Sequence, residues 1–294
     1  MRASAVLPTT EIGNDPVVIR DYAQALESVG CDDLVIYDEV LLSDPDKVPG
    51  IEGDFLYYTL RNPFHEAFVL LGFLAAVTKK MTLGTSVLVA PMRETALIAK
   101  QAAEIDVLSQ GRMRLGLGLG WNKYAYQGVG EDFHNRGRRL DEQVAVMRAL
   151  WTNKTVSFKG NWHHLTHSGL SPLPVQRPIP VWFGGGAPRA IERIARLGDG
   201  WFPEVESPNA DMEQRLSRLR QLAKDAGRNP ADIGIEGKIR VSTTPEGKWA
   251  EYVTGWRRLG ATHVSMDTMA AGFKSPDDHV RAIEKLVKLV KAKG

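Results

Sequence analysis

Hydrophobic and polar positions follow two alternating periods along the whole chain. Short apolar runs rich in strand-forming residues, such as Ala3–Leu7 and Leu34–Tyr37, are each followed by a segment whose apolar residues recur at helical spacing. In the final segment, Asp277–Lys291, one stripe of apolar positions includes Ile283 and Leu286. This alternation is typical of a parallel sheet surrounded by helices.

The pattern predicts eight strands, and they are Ala3–Leu7, Leu34–Tyr37, Met81–Val89, Arg114–Leu119, Pro180–Phe183, Gly200–Phe202, Ile233–Ser242 and His263–Met266. It predicts helices that begin near Asp15-Pro16, closed by Gly30, and at Phe64–Thr78, Glu94–Leu108, Arg139–Trp151, Arg189–Leu197, Asp211–Ala226, Gly247–Leu259 and Asp277–Lys291. Thr155–Leu165 reads as a small hairpin outside the sheet. We therefore predict an α/β fold, a (β/α)₈ TIM barrel formed by residues 1–294 as a single domain. An open doubly wound sheet is the structural alternative, although it usually has fewer strands.

Two long irregular segments interrupt the alternation. Leu41–Asn62 is rich in Asp, Pro and Gly, and Trp121–Arg136 follows the fourth strand. Loops of this length inside a compact domain are usually lids or substrate loops. Both follow strands, so we expect them to be insertions at the carboxyl-terminal face of the barrel, where active sites of this architecture lie.

Composition removes several classes of function. Hydrophobic residues make up 43% and charged residues 24%, and the formal net charge of +2 gives no reason to expect binding to nucleic acid or to an anionic membrane. The most apolar stretch, FHEAFVLLGFLAAVT, is shorter than the roughly 20 residues of a membrane span. The single cysteine, Cys31, excludes an intrachain disulfide and fits a reducing compartment, so we expect a cytoplasmic protein.

Candidate chemistry gathers at the predicted strand ends. The second strand ends in Asp38-Glu39, and since consecutive strand residues face opposite sides, only one of these carboxylates should point into the barrel mouth. The third strand contains Gly84 and Ser86, and a strand glycine often marks a bulge or a close approach to a ligand.

Glycines dominate the fourth and fifth strand ends. Gly116, Gly118 and Gly120 are spaced by two, so they should share one face and leave a smooth wall for a flat ring, although close packing would explain them equally well. After the fifth strand, Gly184, Gly185, Gly186 and Ala187 lead into a helix. Backbone amides at such a helix start favour anions, which predicts a phosphate site.

The remaining polar residues suggest little. His163, His164 and His167 lie in the predicted hairpin without a carboxylate in that segment, so we expect a solvated surface rather than a metal site. No G-x-S-x-G elbow of the hydrolase type is found, and we predict no bound metal.

The motifs together resemble the luciferase-like monooxygenase family, which includes members that depend on the deazaflavin coenzyme F420. The resemblance runs through most of the chain and is carried by three segments, LGTSVLVAPMRETALIAKQAAEIDVLSQGRMRLGLGLGW, RGRRLDEQVAVMRALW and PVWFGGGAPRAIERIARLGDGWFP. It implies a bacterial-luciferase-like barrel, a small-molecule substrate and a homodimer.

The same resemblance implies a layout for the site. The ring of the cofactor would lie against a bulged third strand at Thr85, Ser86 and Val87, with a cis peptide bond between Ser86 and Val87. Gly118 and Gly120 would border the ring, and the segment Gly184–Ala187 would hold the phosphate.

Catalytic and substrate residues are implied as well. Asp38 and Glu39 would lie near the reactive end of the ring, and Trp121 and Tyr124 would border the substrate. Glu39 stands where the family frequently has His, and Lys123 stands where many relatives have an acid. If Glu39 is the acid–base group, burial has to tune its protonation.

The leading hypothesis from the sequence is hydride transfer between coenzyme F420 and a small organic substrate. An FMN-dependent monooxygenase is the first alternative, because both enzymes would use the same ring and phosphate sites. A flavin-binding protein without turnover is the second alternative, suggested by the missing His.

Overall fold

The computed structural model describes residues 1–44, 46–48, 58 and 60–292. Positions 45, 49–57 and 59 of the predicted lid, Leu41–Asn62, therefore lie outside the described residues.

The strands of the described chain form a parallel sheet and one small antiparallel pair. In chain order they are β1 Arg2–Val6, β2 Asp33–Ile36, β3 Thr82–Thr85, β4 Leu88–Val89, β5 Met113–Gly118, β6 Val156–Lys159, β7 His164–Ser168, β8 Val181–Gly184, β9 Gly200–Phe202, β10 Gly234–Arg240 and β11 His263–Asp267. The β6–β7 pair is the hairpin predicted at Thr155–Leu165, extended by three residues to Ser168.

The parallel strands close into a barrel of eight strand positions, in which β3 and β4 are two parts of the third strand. The order around the barrel is β1, β2, β3/β4, β5, β8, β9, β10 and β11, and closure comes from the pairing of β3 with β5 and of β11 with β1. The predicted (β/α)₈ barrel is confirmed.

Helices cover the outside of the barrel. Those that the described residues form are α1 Pro16–Ser28, α2 Ala67–Val77, α3 Thr95–Leu108, α4 Lys123–Gly128, α5 Arg136–Thr152, α6 Pro188–Leu197, α7 Ala210–Asp225, α8 Trp249–Leu259 and α9 Pro276–Lys291. Local sequence explains their ends. The Asp15 side chain accepts a hydrogen bond from the Val17 amide with Pro16 in the first turn, and Ser275 and Asp278 form a capping box at α9.

Three predictions of local structure were wrong. The third strand is not continuous over Met81–Val89, because it breaks between Thr85 and Leu88. The segment Trp121–Arg136 is not irregular throughout, since Asn122 caps the short helix α4 by accepting hydrogen bonds from the Tyr124 and Ala125 amides. Helix α5 begins three residues earlier than predicted, at Arg136.

Apolar and polar side chains occupy different layers of the barrel. Strand residues that face outward, such as Ala5, Leu34 and Val264, are fully buried against the helices in the main hydrophobic core. The lumen instead holds charged groups. Arg114 pairs with Glu236 at 2.7 Å, and its guanidinium lies 4.5 Å from the centre of the Trp182 ring. Removing either partner of a buried ion pair leaves the other charge uncompensated, so Arg114 and Glu236 depend on each other inside the barrel.

Cys31 lies in the outer core. It is 5% exposed, its thiol donates to the carbonyls of Ala3 and Asp33, and burial raises its pKa to about 12. Among the helices of the described ranges, none combines the length and the apolar character that crossing a membrane requires.

Candidate active site

The end of β2 divides its two carboxylates between two environments. Ile36, the last residue of β2, packs in the outer core, and Tyr37 faces the lumen. The Asp38 side chain is fully buried beside β4, whereas Glu39 is half-buried and reaches Tyr58 and Trp121. The expectation that only one of the two points into the mouth therefore agrees with the structure.

Asp38 holds the third strand in place. Its Oδ2 accepts a hydrogen bond from the Val89 amide at 2.9 Å, and its Oδ1 accepts one from Arg93 Nη2 at 2.7 Å. Arg93 also pairs with Glu66, the residue that caps α2, at 2.8 Å. Burial raises the pKa of Asp38, and the Arg93 charge opposes that shift. Both carboxylate oxygens thus serve the connection between β2, β4 and α2.

Glu39 is the carboxylate at the mouth. The Tyr58 hydroxyl donates to its Oε1 at 2.6 Å, and the Trp121 indole donates to the same carboxylate. Burial raises the pKa of Glu39 to about 7, and the neighbouring charge of Asp38 acts in the same direction. A carboxyl group that titrates near neutral pH can both give and take a proton under physiological conditions.

The break in the third strand shapes the opposite wall. The peptide bond between Ser86 and Val87 is cis, which confirms the bond predicted there. Thr85 is fully buried, and its hydroxyl donates to the Gly116 carbonyl at 2.6 Å and accepts from the Gly116 amide at 3.1 Å. Thr85 thus bridges the gap in the ladder between the β3–β5 and β4–β5 pairings, and its predicted contact with a cofactor stays a prediction.

Two glycines make room for Val87. A Cβ added at Gly118 would lie 2.3 Å from Val87 Cγ2, and one added at Gly184 would lie 3.0 Å from Val87 Cγ1. Val87 and Ser86 are half-buried at the barrel mouth. We call the surface formed by Val87, Gly118 and Gly184 the glycine half of the mouth.

Gly116 and Gly120 have other reasons to be glycine. A Cβ at Gly116 would lie 2.0 Å from the Thr85 carbonyl oxygen. Gly120 follows the end of β5, has φ +64°, and is close to Val89. The prediction that Gly116, Gly118 and Gly120 share one strand face was wrong for Gly120, because the strand ends at Gly118.

The segment after β5 carries the predicted substrate residues. Trp121 is 38% exposed, and Tyr124 is half-buried on α4 with Lys123 Nζ 5.0 Å from its ring centre. Asn122 Nδ2 donates to Ser43 Oγ at 2.9 Å. The start of the second predicted loop therefore contacts the start of the first one at the mouth.

The loop from β8 to α6 presents backbone amides. Its carbonyls are engaged, since Trp201 Nε1 donates to Gly185 at 2.7 Å and Arg215 Nη1 donates to Gly186 at 2.8 Å. Within the described part of the chain, no acceptor receives the amides of Gly185, Gly186 and Ala187, and α6 has no side-chain cap. Uncapped amides at a helix start attract anions.

A second set of residues, missed by the sequence analysis, lies across the lumen from the glycine half. The Tyr37 hydroxyl donates to Asp267 Oδ2 at 2.9 Å, and Lys238 Nζ donates to the Tyr37 oxygen at 3.3 Å. They come from β10, β11 and the residue after β2, and we call them the polar half of the mouth. A lysine at an inward position near the end of a strand was the signal in the sequence that could have found them.

The hairpin histidines do not all behave as predicted. His164 and His167 are exposed, but His163 is 13% exposed, with Nδ1 2.8 Å from Glu142 Oε1 and Nε2 2.5 Å from Thr95 Oγ1. The expectation of a solvated His163 was wrong, because its carboxylate partner lies on α5, outside the hairpin. In the described ranges, no three His, Cys, Asp or Glu side chains gather where they could hold a metal ion.

The family model for luciferase-like monooxygenases matches residues 3–285. The chain belongs to the luciferase-like monooxygenase family. It is therefore an enzyme, an oxidoreductase or monooxygenase of that family, and a flavin-binding protein without turnover is set aside.

An uncharacterised protein of Mycobacterium tuberculosis is 32% identical over 72% of this chain and 74% of its own length. Two further relatives have assigned activities, and they differ in cofactor. The F420-dependent glucose-6-phosphate dehydrogenase of Gordonia bronchialis is 34% identical over 65% of this chain and 60% of its own length. The FMNH2-dependent dimethylsulfone monooxygenase of Pseudomonas putida is 33% identical over 62% of this chain and 50% of its own length. Relatives in this family thus include enzymes with either cofactor.

The fold agrees with that of a solved structure. An F420-dependent secondary alcohol dehydrogenase, solved with an F420-acetone adduct, superposes with a TM-score of 0.80 over 99% of both chains at 17% identity. At this identity the likeness supports the barrel fold.

Proposed function

We propose that this enzyme transfers a hydride between coenzyme F420 and a small organic substrate, with Glu39 as the acid–base residue. The observation that carries the proposal is Glu39 itself, at the mouth, with a pKa raised to about 7 by burial. Hydride transfer to or from a carbon–oxygen group needs a partner that exchanges a proton at the neighbouring atom, and Glu39 has the protonation equilibrium for that role.

The chain offers groups that fit such a cofactor. Val87, seated between Gly118 and Gly184, presents a half-buried apolar surface against which a flat ring would rest. The open amides of Gly185–Ala187 would hold the phosphate. Glu204 lies beside this loop, 3.1 Å from a Cβ built at Gly186, but it is exposed and can turn towards solvent. The cofactor, when bound, supplies the hydride chemistry.

The residues of the chain then divide the remaining work. Glu39 holds or releases a proton, and Tyr58 and Trp121 orient its carboxylate. Asp38, although predicted as catalytic, acts on β4 through Val89 and Arg93, so we propose a positioning role for it. Trp121 and Tyr124 would border the substrate and exclude water from the mouth.

The test is a fluorescence titration of the cofactor-free protein with F420 and, separately, with FMN. Preferential binding of F420 supports the proposal, and preferential binding of FMN replaces it with the monooxygenase alternative, which the Pseudomonas putida relative favours. Binding of neither cofactor overturns the cofactor assignment.

A matched pair of variants at the exposed N-cap of α6 locates the phosphate. Asp and Asn are both good caps, but only Asp in Ala187→Asp repels an anion. We expect Ala187→Asp to bind FMN or F420 about tenfold more weakly than Ala187→Asn, and both variants to bind riboflavin, which lacks the phosphate, equally well. Equal FMN and F420 binding by the two variants would place the phosphate elsewhere.

We also propose a cytoplasmic homodimer that buries the outer sides of α2 and α3. Helix α2 is apolar nearly all round, yet Val69 in its first turn is 73% exposed, and Leu97 in the first turn of α3 is 55% exposed. A helix that is apolar on every side is usually covered by another element. Sedimentation of the wild type and of Val69→Glu measures the mass, and a monomeric wild type would contradict the proposal.

A further inference from the structure

Lys238 projects from β10 into the lumen and reaches Tyr37, which follows β2. Its Nζ donates to the Tyr37 oxygen at 3.3 Å and lies 5.5 Å from the centre of the Tyr37 ring, although β11 and β1 lie between the two strands in the sheet. The side chain is half-buried, two residues before the end of β10. The ammonium group therefore lies inside the carboxyl end of the barrel and not on its outer surface.

The neighbouring carboxylates are engaged with other groups. Asp267 accepts the Tyr37 hydroxyl and, at 3.0 Å, the Met269 amide. Glu236 pairs with Arg114 at 2.7 Å. Among the described residues, no carboxylate forms an ion pair with Lys238. The charge of Lys238 does act on Glu236, but the hydrogen-bond partner of the ammonium group among the described residues is the Tyr37 phenol. A half-buried ammonium group held in this way is incompletely compensated, because burial removes part of its hydration.

The position of Lys238 in the barrel determines which wall of the mouth its ammonium group faces. The polar half arises from β2, β10 and β11, and the glycine half arises from β4, β5 and β8, on the opposite side of the closed sheet. With the ring against the glycine half, as the proposed function has it, a substrate between ring and far wall would meet Lys238 and Tyr37. The ammonium has three donors, of which Tyr37 takes one.

We propose that Lys238 selects the substrate by binding an anionic oxygen, and that the natural substrate is a small carboxylate. This inference rests on the proposed function for the placement of the ring, but the binding of the carboxylate depends only on the chain's own residues. Lys238 acts in recognition, and Tyr37 fixes the direction of its ammonium group.

The test uses small carboxylates and their neutral amides as probes, namely butyrate against butyramide and benzoate against benzamide. Their affinities are measured by isothermal titration calorimetry on the cofactor-free protein and on the cofactor-loaded protein. Because a hydrogen bond to a charged group contributes more than a neutral one, we expect each carboxylate to bind about 10- to 100-fold more tightly than its amide. Equal affinity within both pairs would overturn the proposal.

Variants assign the preference to Lys238. Lys238→Met should abolish it, Lys238→Arg should keep most of it, and Tyr37→Phe, which keeps the charge but removes the oxygen that directs the ammonium group, should keep part of it. The control is Lys248→Met, since Lys248 is an exposed lysine paired with Glu251 at 2.7 Å. A carboxylate preference that survives in Lys238→Met would also overturn the proposal.

The cofactor titration of the same variants separates this inference from the proposed function. If the wild type binds neither F420 nor FMN but still prefers carboxylates through Lys238, the proposed function fails and the anion site stands. If Lys238→Met loses cofactor affinity instead of carboxylate preference, the anionic oxygen belongs to the cofactor, and the assignment to a substrate is wrong. Circular dichroism of each variant confirms that the compared proteins are folded.

Discussion

The glycine half and the polar half of the mouth are held together by different interactions. Around Val87, shape is decisive, since a Cβ at Gly118 would overlap that side chain and one at Gly184 would crowd it. Around Tyr37, Lys238 and Asp267, hydrogen bonds and charge hold the side chains, with separations of 2.9 and 3.3 Å. One wall is therefore sensitive to volume, whereas the other is sensitive to protonation and to ligand charge.

A substitution in the connection between the two halves should cause the largest loss of stability. Arg93→Met leaves the fully buried Asp38 carboxylate without its cation at the point where β2 meets β4. Breaking one partner of a buried pair costs about 3–5 kcal/mol of unfolding free energy. Urea denaturation measures this loss, with Arg20→Met as the control, because the Arg20–Asp21 pair is exposed. A loss no greater than that of the control would mean that Arg93 does not anchor the two halves.

A larger side chain in the barrel wall beside the glycine half should cause the second-largest loss of stability. In Gly116→Ala the new Cβ would lie 2.0 Å from the Thr85 carbonyl oxygen, so backbone must move. We expect a loss of about 1–3 kcal/mol or more in unfolding free energy. The matched control is Gly247→Ala before α8, where the residue is exposed, φ is not positive and nothing beyond its chain neighbours among the described atoms lies within 4 Å of the new Cβ. Equal stability of the two variants would contradict the sensitivity to volume.

Removing the titratable group of Glu39, after the end of β2, should change mainly how the stability of the protein depends on pH. Glu39 has a folded pKa of about 7 against an ordinary value of 4.5, so the folded protein keeps this proton after the unfolded chain has lost it. Wild-type stability should therefore fall as pH rises from 4.5 to 7, by on the order of 1–3 kcal/mol, whereas Glu39→Gln should lack that part of the decline. Thermal or urea unfolding at pH 5 and pH 8 makes the comparison. Parallel pH profiles of the two proteins would refute the raised pKa of Glu39.

Much of the barrel could be predicted from the sequence, because strands and helices each leave a periodic pattern of apolar residues within a short segment of the chain. The alternation of strand and helix patterns predicted the eight strand positions, and Asp15 and Pro16 predicted the start of α1. The break between Thr85 and Leu88 escaped the pattern, because Ser86 and Val87 fit a strand by propensity, whereas the room for Val87 is left by Gly118 and Gly184, which are distant in sequence. The single-domain boundary, residues 1–294, stays a prediction.

The candidate site was predictable where its residues follow strands in sequence. Asp38-Glu39 and Gly184–Ala187 could be identified in this way, although their roles stay predictions. The sequence could not assign Asp38 to β4 and Glu39 to the mouth, because that division depends on Val89, Arg93, Tyr58 and Trp121. Lys238 was overlooked for a related reason: its partner Tyr37 lies 201 positions away in the chain.

The burial of Cys31 has a practical consequence for following motion at the mouth. The thiolate is the reactive form, and a thiol that is 5% exposed with a pKa near 12 offers almost none of it at neutral pH. Since this is the only cysteine of the chain, a cysteine introduced at the exposed Val40 or Leu41 would be the one group that a maleimide dye modifies. The natural sequence thus already provides a silent background for site-specific labelling beside Glu39.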